Sequence, residues 1–247
     1  MNNKTNKKIV VYIFITIFSL QFVIYNLFAA FREINFTARS AGLAGAFCAL
    51  SDSAEGVLYN PAGVGQITRY ELNFSHTKLF SGLEDVNINL NYGGIVFPVG
   101  WFNGAINYNE LLENSYREQV VVLTFSKDMT FLFDSAPKNI RSKKSSKSSK
   151  SSKSSMSRSS KSKKLNLFSG INLKYLQRQF VLDKKTINDP VFAKGSSKNN
   201  YTLDFGLLFV RDAVSVGLSG KNLLQTNIGF YHEEILPMEL RVGLGYK

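Results

Sequence analysis

Period-two alternation recurs in segment after segment from Glu71 to Tyr246, and it constrains this chain more than any other feature. Successive side chains of a β-strand point to opposite faces, so strict alternation of apolar and polar residues predicts a strand with two unlike surfaces. Tyr201, Leu203, Phe205, Leu207 and Phe209 alternate with Thr202, Asp204 and Gly206. Leu165, Leu167, Ile171, Leu173 and Tyr175 alternate with Asn166, Gly170, Asn172 and Lys174. Val214, Val216 and Leu218 alternate with Ser215, Gly217 and Ser219, and Leu240, Val242, Leu244 and Tyr246 with Arg241, Gly243 and Gly245. Gln119, Val121, Leu123 and Phe125 share one face, and Ile106 and Tyr108 alternate with Asn107 and Asn109. In Asp85 to Tyr92 the same rule puts Val86, Ile88, Leu90 and Tyr92 on the greasy face and Asn87, Asn89 and Asn91 on the polar one. About eight strands result, most of them roughly 8 to 11 residues long, as a tilted membrane-crossing strand requires.

The polar face is made of Asn, Ser and Gly rather than Lys and Glu. A water-exposed outer face carries more charge than that. Aromatics sit near strand ends at Phe74, Phe97, Phe125, Tyr175 and Phe209, as interfacial girdles would. The expected fold class is therefore all-β, an antiparallel transmembrane β-barrel. A soluble periplasmic β-protein is the alternative, since sandwich strands alternate too.

Charge does not change that reading. The formal net charge is +12. The first eight residues hold 3 lysines and Lys138 to Lys164 holds 11 Lys and Arg with no acid, and taking these 3 and 11 from the +12 leaves −2 on the rest of the chain. The rest of the chain is close to neutral, so a specific nucleic-acid-binding fold is not expected. Within 137–164, Ser-Ser-Lys recurs every three residues, a composition that cannot bury a core and reads as a disordered insertion. Lys4, Lys7 and Lys8, the apolar run Ile9 to Tyr25 and Ala29-Ala30 read as a signal peptide over residues 1–30. Cys48 stands alone, which excludes an intrachain disulfide and suits a packed small hydrophobe.

Residues 31–66 are rich in Ala and Gly and lack alternation. The run Ala38-Arg39-Ser40-Ala41-Gly42-Leu43-Ala44-Gly45-Ala46-Phe47, then Asp52, then Leu58-Tyr59-Asn60-Pro61-Ala62-Gly63 resembles the N-terminal signature of the long-chain fatty-acid outer-membrane transporter superfamily. It is nearest to the PorV/PorQ family associated with type IX secretion. Gly170 to Tyr175, Val216 to Leu223 and Leu236 to Leu244 are similar to later strands of that branch. The resemblance implies a barrel of about fourteen strands with an N-terminal hatch folded inside. It implies a hatch motif at Arg39, Gly42, Gly45, Asn60, Pro61 and Ala62. It also implies location in the cell outer membrane, contact with outer-membrane lipid, and either secretion-system proteins or a hydrophobic ligand such as a long-chain fatty acid as partners.

The chain departs from that pattern in two ways. Strands 67–247 number about eight, and a closed barrel of that size is filled by its own side chains, with no room for a hatch. The expectation is a truncated larger barrel, strands supplied by another chain, or a hatch lying outside. The Ser-Lys insertion falls between the fourth and fifth strands, on the periplasmic side by strand parity.

No chemistry of catalysis is visible. His76 and His232 are far apart and lack metal-ligand spacing, and no nucleophile elbow or phosphate loop occurs. Glu110, Glu113, Glu233 and Glu234 fall in expected loops. Asp204, on an inward register, is expected to pair with Lys174 or Arg241. The function expected is a structural or secretion-associated barrel without cofactor, metal or enzymatic activity. A passive transporter of hydrophobic small molecules is the alternative.

Overall fold

The computed structural model describes residues 30–31, 36–84, 86–132, 165–184, 186–193 and 195–246. The signal-peptide expectation and the Ser-Lys tract lie outside the described residues. Residues 1–32 and 33–247 form two units, and every strand belongs to the second.

That second unit is an eight-stranded antiparallel sheet in simple meander order. Its strands are β1 (Glu71–Leu79), β2 (Ile88–Pro98), β3 (Asn103–Leu112), β4 (Tyr116–Asp128), β5 (Leu165–Phe180), β6 (Ser197–Arg211), β7 (Val214–Lys221) and β8 (Glu239–Tyr246). Each strand pairs with the next in sequence, and among the described residues β1 and β8 each have one neighbour. The all-β antiparallel class read from alternation is thus the fold observed. No helix among the described residues is long and apolar enough to cross a membrane.

The register assigns the two faces. One hydrogen-bonded row joins Leu72, Ile95, Ile106, Leu123, Leu173 and Leu203 on the outer face. The first five of these are exposed, Leu72 at 64%. Beside them the outward residues of β8 are barer still, from Val242 at 70% to Tyr246 at 83%. Continuous exposed apolar surface on that scale suits lipid and not water.

The band has defined edges. In the next row Phe74, Tyr108, Tyr175 and Tyr201 line up, with the Tyr175 and Tyr201 rings 5.3 Å apart. Beyond them comes a polar row of His76, Asn91, Glu110, Gln119, Gln177 and Asn199. At the opposite end Trp101 stacks on Phe102 at 4.6 Å, and Lys127 Nζ sits 5.5 Å over the Trp101 ring. On β4 the outward Val121, Leu123 and Phe125 lie between Gln119 and Lys127, a span of roughly 26 Å at about 3.3 Å per residue. At a strand tilt of about 40° this projects to roughly 20 Å along the membrane normal, the same order as the roughly 25 Å apolar band of an outer-membrane strand, with aromatics at both edges. The apolar stretch drifts along the strands from Leu72 and Phe74 on β1 to the Val214–Leu218 end of β7. Hydrogen-bonded rows run perpendicular to strands, so a band parallel to a membrane drifts in this way when strands tilt.

One face assignment from sequence is corrected. On β2, Leu90, Tyr92 and Val96 are buried on the inner face, while Gly93, Ile95 and Phe97 look outward and Asn91 joins the outer polar row. The inner face of β2 is covered by protein, so it too is apolar, and alternation no longer tells the faces apart. Glu110 is likewise in β3 rather than in a loop, ion-paired to Arg117 at 3.0 Å.

Candidate functional site

What covers the inner face is the segment before β1. It holds a short α-helix, Ala38–Gly42, and two 3-10 turns, Ala54–Leu58 and Pro61–Gln66. Ala54, Val57, Val64 and Ile67 pack on Val96, Ala105 and Val122 of β2 to β4. Ala62 packs on Phe168 and Leu208 of β5 and β6. The expected conflict between a hatch and eight strands does not arise, because the strands form an open sheet and the segment lies on its inner face.

The backbone of this hatch has no regular ladder, so its polar groups need other partners. Inward side chains of the strands supply them. Asn103 Nδ2 donates to the carbonyls of Val64 and Ile67 at 2.8 and 2.7 Å. Asn107 Nδ2 donates to Ala54 O at 3.2 Å, and Asn172 Nδ2 to Val57 O at 3.0 Å. Ser126 Oγ lies 3.2 Å from Ala62 O, and Glu71 Oε1 accepts from Ala54 N at 2.8 Å. The inward asparagines that a sequence reading takes for a wet face are the hatch's hydrogen-bonding sockets.

Asn60, Pro61 and Ala62 form the clasp. Asn60 Oδ1 caps the second 3-10 turn by accepting from Ala62 N at 3.1 Å, and Pro61 supplies a fixed φ at its first position. Asn60 Nδ2 donates to Cys48 O within the hatch and to Leu207 O on β6, both at 3.0 Å. The strand positions beneath carry no side chain. A Cβ on Gly170 would stand 2.4 Å from the Pro61 carbonyl carbon, and one on Gly206 2.1 Å from Asn60 Oδ1. On β7 and β8, Gly217 and Gly243 clear space for Cys48 and Ala49 in the same way. These glycines and sockets were missed by sequence reasoning. Their signal was present as Gly and Asn on one register of neighbouring strands, but alternation alone assigns no partner.

The remaining motif residues have lesser roles. Arg39 is ion-paired to Asp52 at 2.7 Å and half-exposed, and its guanidinium lies over Phe47 at 4.8 Å. Gly45 has a φ of 77°, a left-handed turn that suits glycine. Gly42 touches nothing within 4 Å of its would-be Cβ.

Glu55 is buried in the hatch, where Thr37 Oγ1 donates to it and Ser53 Oγ lies at 3.2 Å. Burial raises its pKa above the usual carboxylate value, against the lowering effect of Ser53 and Arg39. The sign follows from linkage. The folded state holds this proton at a higher pH than the unfolded chain, so Glu55 lowers stability as pH climbs from about 4.5 through the raised value. Thermal midpoints of the detergent-solubilised protein taken from pH 4 to pH 8 should fall more steeply than those of Glu55→Gln. Parallel curves would mean that Glu55 does not control the seat.

Past the hatch, the inward polar pair lies between β5 and β6. Lys174 Nζ stands 2.7 Å from Asp204 Oδ1. Asp204 also accepts from Asn222 N at 2.9 Å and Asn172 Nδ2 at 3.1 Å. Arg241 pairs with Glu239 at 2.5 Å on its own strand and faces Ser219 of β7, the strand between β8 and β6. Asn172 thus touches hatch and ion pair together, and Asn222 Nδ2 carries the chain of bonds on to Pro237 O at 3.1 Å.

The residues between β7 and β8 fold back over the same face. Lys198 Nζ donates to Gly229 O at 2.7 Å and Asn200 Nδ2 to Asn227 O at 2.8 Å. Arg178 is ion-paired to Glu234 at 2.7 Å and lies over the rings of Tyr116, Phe180 and Phe230 at 5.5 to 5.6 Å. Glu234, expected in a loop, lies in one and latches it through Arg178. Among the described residues no group of three His, Cys, Asp or Glu side chains is placed to hold a metal.

A family model described as type IX secretion system membrane protein PorP/SprF matches residues 140–247, the stretch that contains β5 to β8. This match and the lipid-facing antiparallel sheet locate the chain. It is an outer-membrane β-protein. No curated protein and no solved structure matches it.

Proposed function

We propose that this chain is a structural, secretion-associated protein of the outer membrane that binds protein partners and does not conduct small molecules. The observation that carries this is the pinned hatch. Apolar inward residues such as Val96, Val122 and Leu208, which a hydrophobic ligand would need, are already packed against Val57, Val64 and Ala62. The type IX match over the last four strands supports the secretion assignment. The hatch motif's resemblance to the PorV/PorQ family points to the same system, with the sheet as a docking platform for exported or machinery proteins. No catalytic residue and no cofactor is assigned.

The test is genetic and biochemical. Deleting the gene should leave type IX cargo trapped in the periplasm, and cross-linking in intact outer membranes should capture secretion components on the purified chain. Normal cargo export, together with a stoichiometric free fatty acid extracted from the purified protein, would favour a passive hydrophobic transporter instead.

A further inference from the structure

The hatch holds a buried titratable group that neither the clasp nor the inner-face ion pair uses. Glu55 is 2% exposed and sits in the turn Ala54–Leu58. Thr37 stands at the N-cap of the helix Ala38–Gly42, where a hydroxyl ordinarily accepts from a free amide of the first turn. Its side chain makes no such bond. It meets Glu55 Oε2 instead, and lies 2.9 Å from Ser40 Oγ. Ser40 Oγ in turn donates to Thr37 O at 3.0 Å.

Three contacts thus run in series from carboxyl to carbonyl: Glu55 to Thr37, Thr37 to Ser40, and Ser40 to Thr37 O. Each needs one proton, and the two hydroxyls carry one apiece. With Glu55 ionised, Thr37 donates to the carboxylate and Ser40 to the carbonyl, and the two hydroxyl oxygens face each other with no proton between them. A proton on Glu55 Oε2 completes the series, since the carboxyl then donates to Thr37, Thr37 to Ser40, and Ser40 to the carbonyl. The other carboxyl oxygen still accepts, from Ser53 Oγ at 3.2 Å. Thr37, Ser40 and Glu55 are all buried, so solvent does not supply the missing proton.

The surrounding charges do not favour an ionised Glu55 either. Arg39 of the helix acts on it, but that guanidinium is already paired to Asp52 at 2.7 Å. Asp52 and, from β1, Glu71 bring like charge, and Glu71 is held close by the amide of Ala54. From β2 comes Tyr92, whose hydroxyl accepts from Asn107 of β3 at 2.6 Å. The turn Pro61–Gln66 brings no titratable side chain. Burial is the largest influence and favours the neutral acid, with Glu71 and Asp52 in the same direction and Ser53 and Arg39 opposed.

We propose that Glu55 is a proton-binding site that fastens the helix Ala38–Gly42 to the rest of the hatch, so that this end of the hatch tightens as the proton binds and loosens as it leaves. The half-exposed Arg39–Asp52 pair adds little to that hold. The clasp is a separate anchor, because Asn60 is bonded to Cys48 O and Leu207 O. The seated hatch holds the proton more tightly than the opened one, so opening becomes easier as pH climbs through the raised value. None of this depends on what the protein binds or carries.

The test is amide hydrogen exchange of the detergent-solubilised full chain from pH 5 to pH 8, read by mass spectrometry and corrected for the intrinsic pH dependence of exchange. The amides of Ala41 and Gly45, bonded to Thr37 O and Ser40 O at 3.0 and 2.9 Å, report the helix. In the wild type their protection should fall as pH rises, by up to about tenfold per pH unit, the slope of one linked proton. In Glu55→Gln, whose amide donates to Thr37 at any pH, protection should stay level. In Thr37→Val, which cuts the series, it should be low and equally level. The amides of Gly63 and Ile67, in the clasped turn, should not respond to pH. Infrared difference spectra of the wild type need no variant: the carbonyl stretch of one protonated carboxyl should vanish with the same midpoint as the protection. Protection independent of pH in the wild type overturns the proposal. So does a pH dependence retained in Glu55→Gln, a parallel fall at Gly63 and Ile67, or an infrared midpoint that differs from that of protection.

Discussion

Gly170→Val is expected to unseat the hatch. The added Cβ would lie 2.4 to 2.6 Å from Pro61 C, Pro61 O and Ala62 N, all main-chain atoms that no rotamer change can move aside. Overpacking of this kind costs about 1–3 kcal/mol where neighbours can shift, and the upper end applies where they are backbone. Asn60 loses its geometry in the same event, because its bonds to Cys48 O and Leu207 O depend on the clasp lying flat on β5 and β6. The lone cysteine reports the result directly. Cys48 is buried in the seated hatch, so thiol labelling of the folded protein proceeds only through opening. A cost of about 3 kcal/mol raises the labelling rate roughly a hundredfold in Gly170→Val. Gly42→Ala, at a position with open space, should label like the wild type. Slow labelling in a folded Gly170→Val would show that the hatch does not rest on β5.

The second large effect is expected from Lys174→Met. Asp204 is 2% exposed at its side chain and Lys174 10%, so removal of the ammonium strands a carboxylate with little water to solvate it. Breaking a buried pair on one side costs about 3–5 kcal/mol. Lys221 stands near enough to Asp204 to act on its charge, which favours the lower end of that range. Asn222 would lose a partner as well, since Lys174 Nζ donates to its Oδ1 at 2.6 Å. The thermal midpoint in detergent should drop by several degrees, and Lys174→Met with Asp204→Asn should recover about half of the loss. Recovery is incomplete because the new amide turns a donor toward Asn172, whose own amide nitrogen already donates there. A midpoint unchanged in the single variant would place the pair in contact with water.

The outer face of β3 to β8 was legible because lipid imposes one demand everywhere. Outward positions such as Leu123, Leu173, Phe205, Val216 and Leu244 are apolar whatever their strand, so period two locates them without knowledge of neighbours. The inner face obeys no such uniform rule. Its residues answer to the hatch, position by position: Gly170 and Gly206 under the clasp, Asn103 and Asn107 at free carbonyls, Val96 and Val122 beneath Ala54 and Val57. Where that covering is apolar, as on β2, the two faces look alike and the assignment of Leu90 and Tyr92 inverts. Lys174 and Asp204 could be paired from sequence because both sit on inward registers of adjacent strands, while Arg241 could not be placed without strand order.

Sequence by itself determined the alternation, hence the strands, their antiparallel class and the greasy side they turn to lipid. It also singled out Asn60, Pro61 and Ala62 as a turn that begins something. Only the tertiary structure decided that the asparagines, serines and glycines of the opposite side hold a protein segment rather than water. The physical reason is that a strand's period follows from its own backbone geometry, whereas the partner of a buried amide is set by whichever distant carbonyl the fold brings within 3 Å.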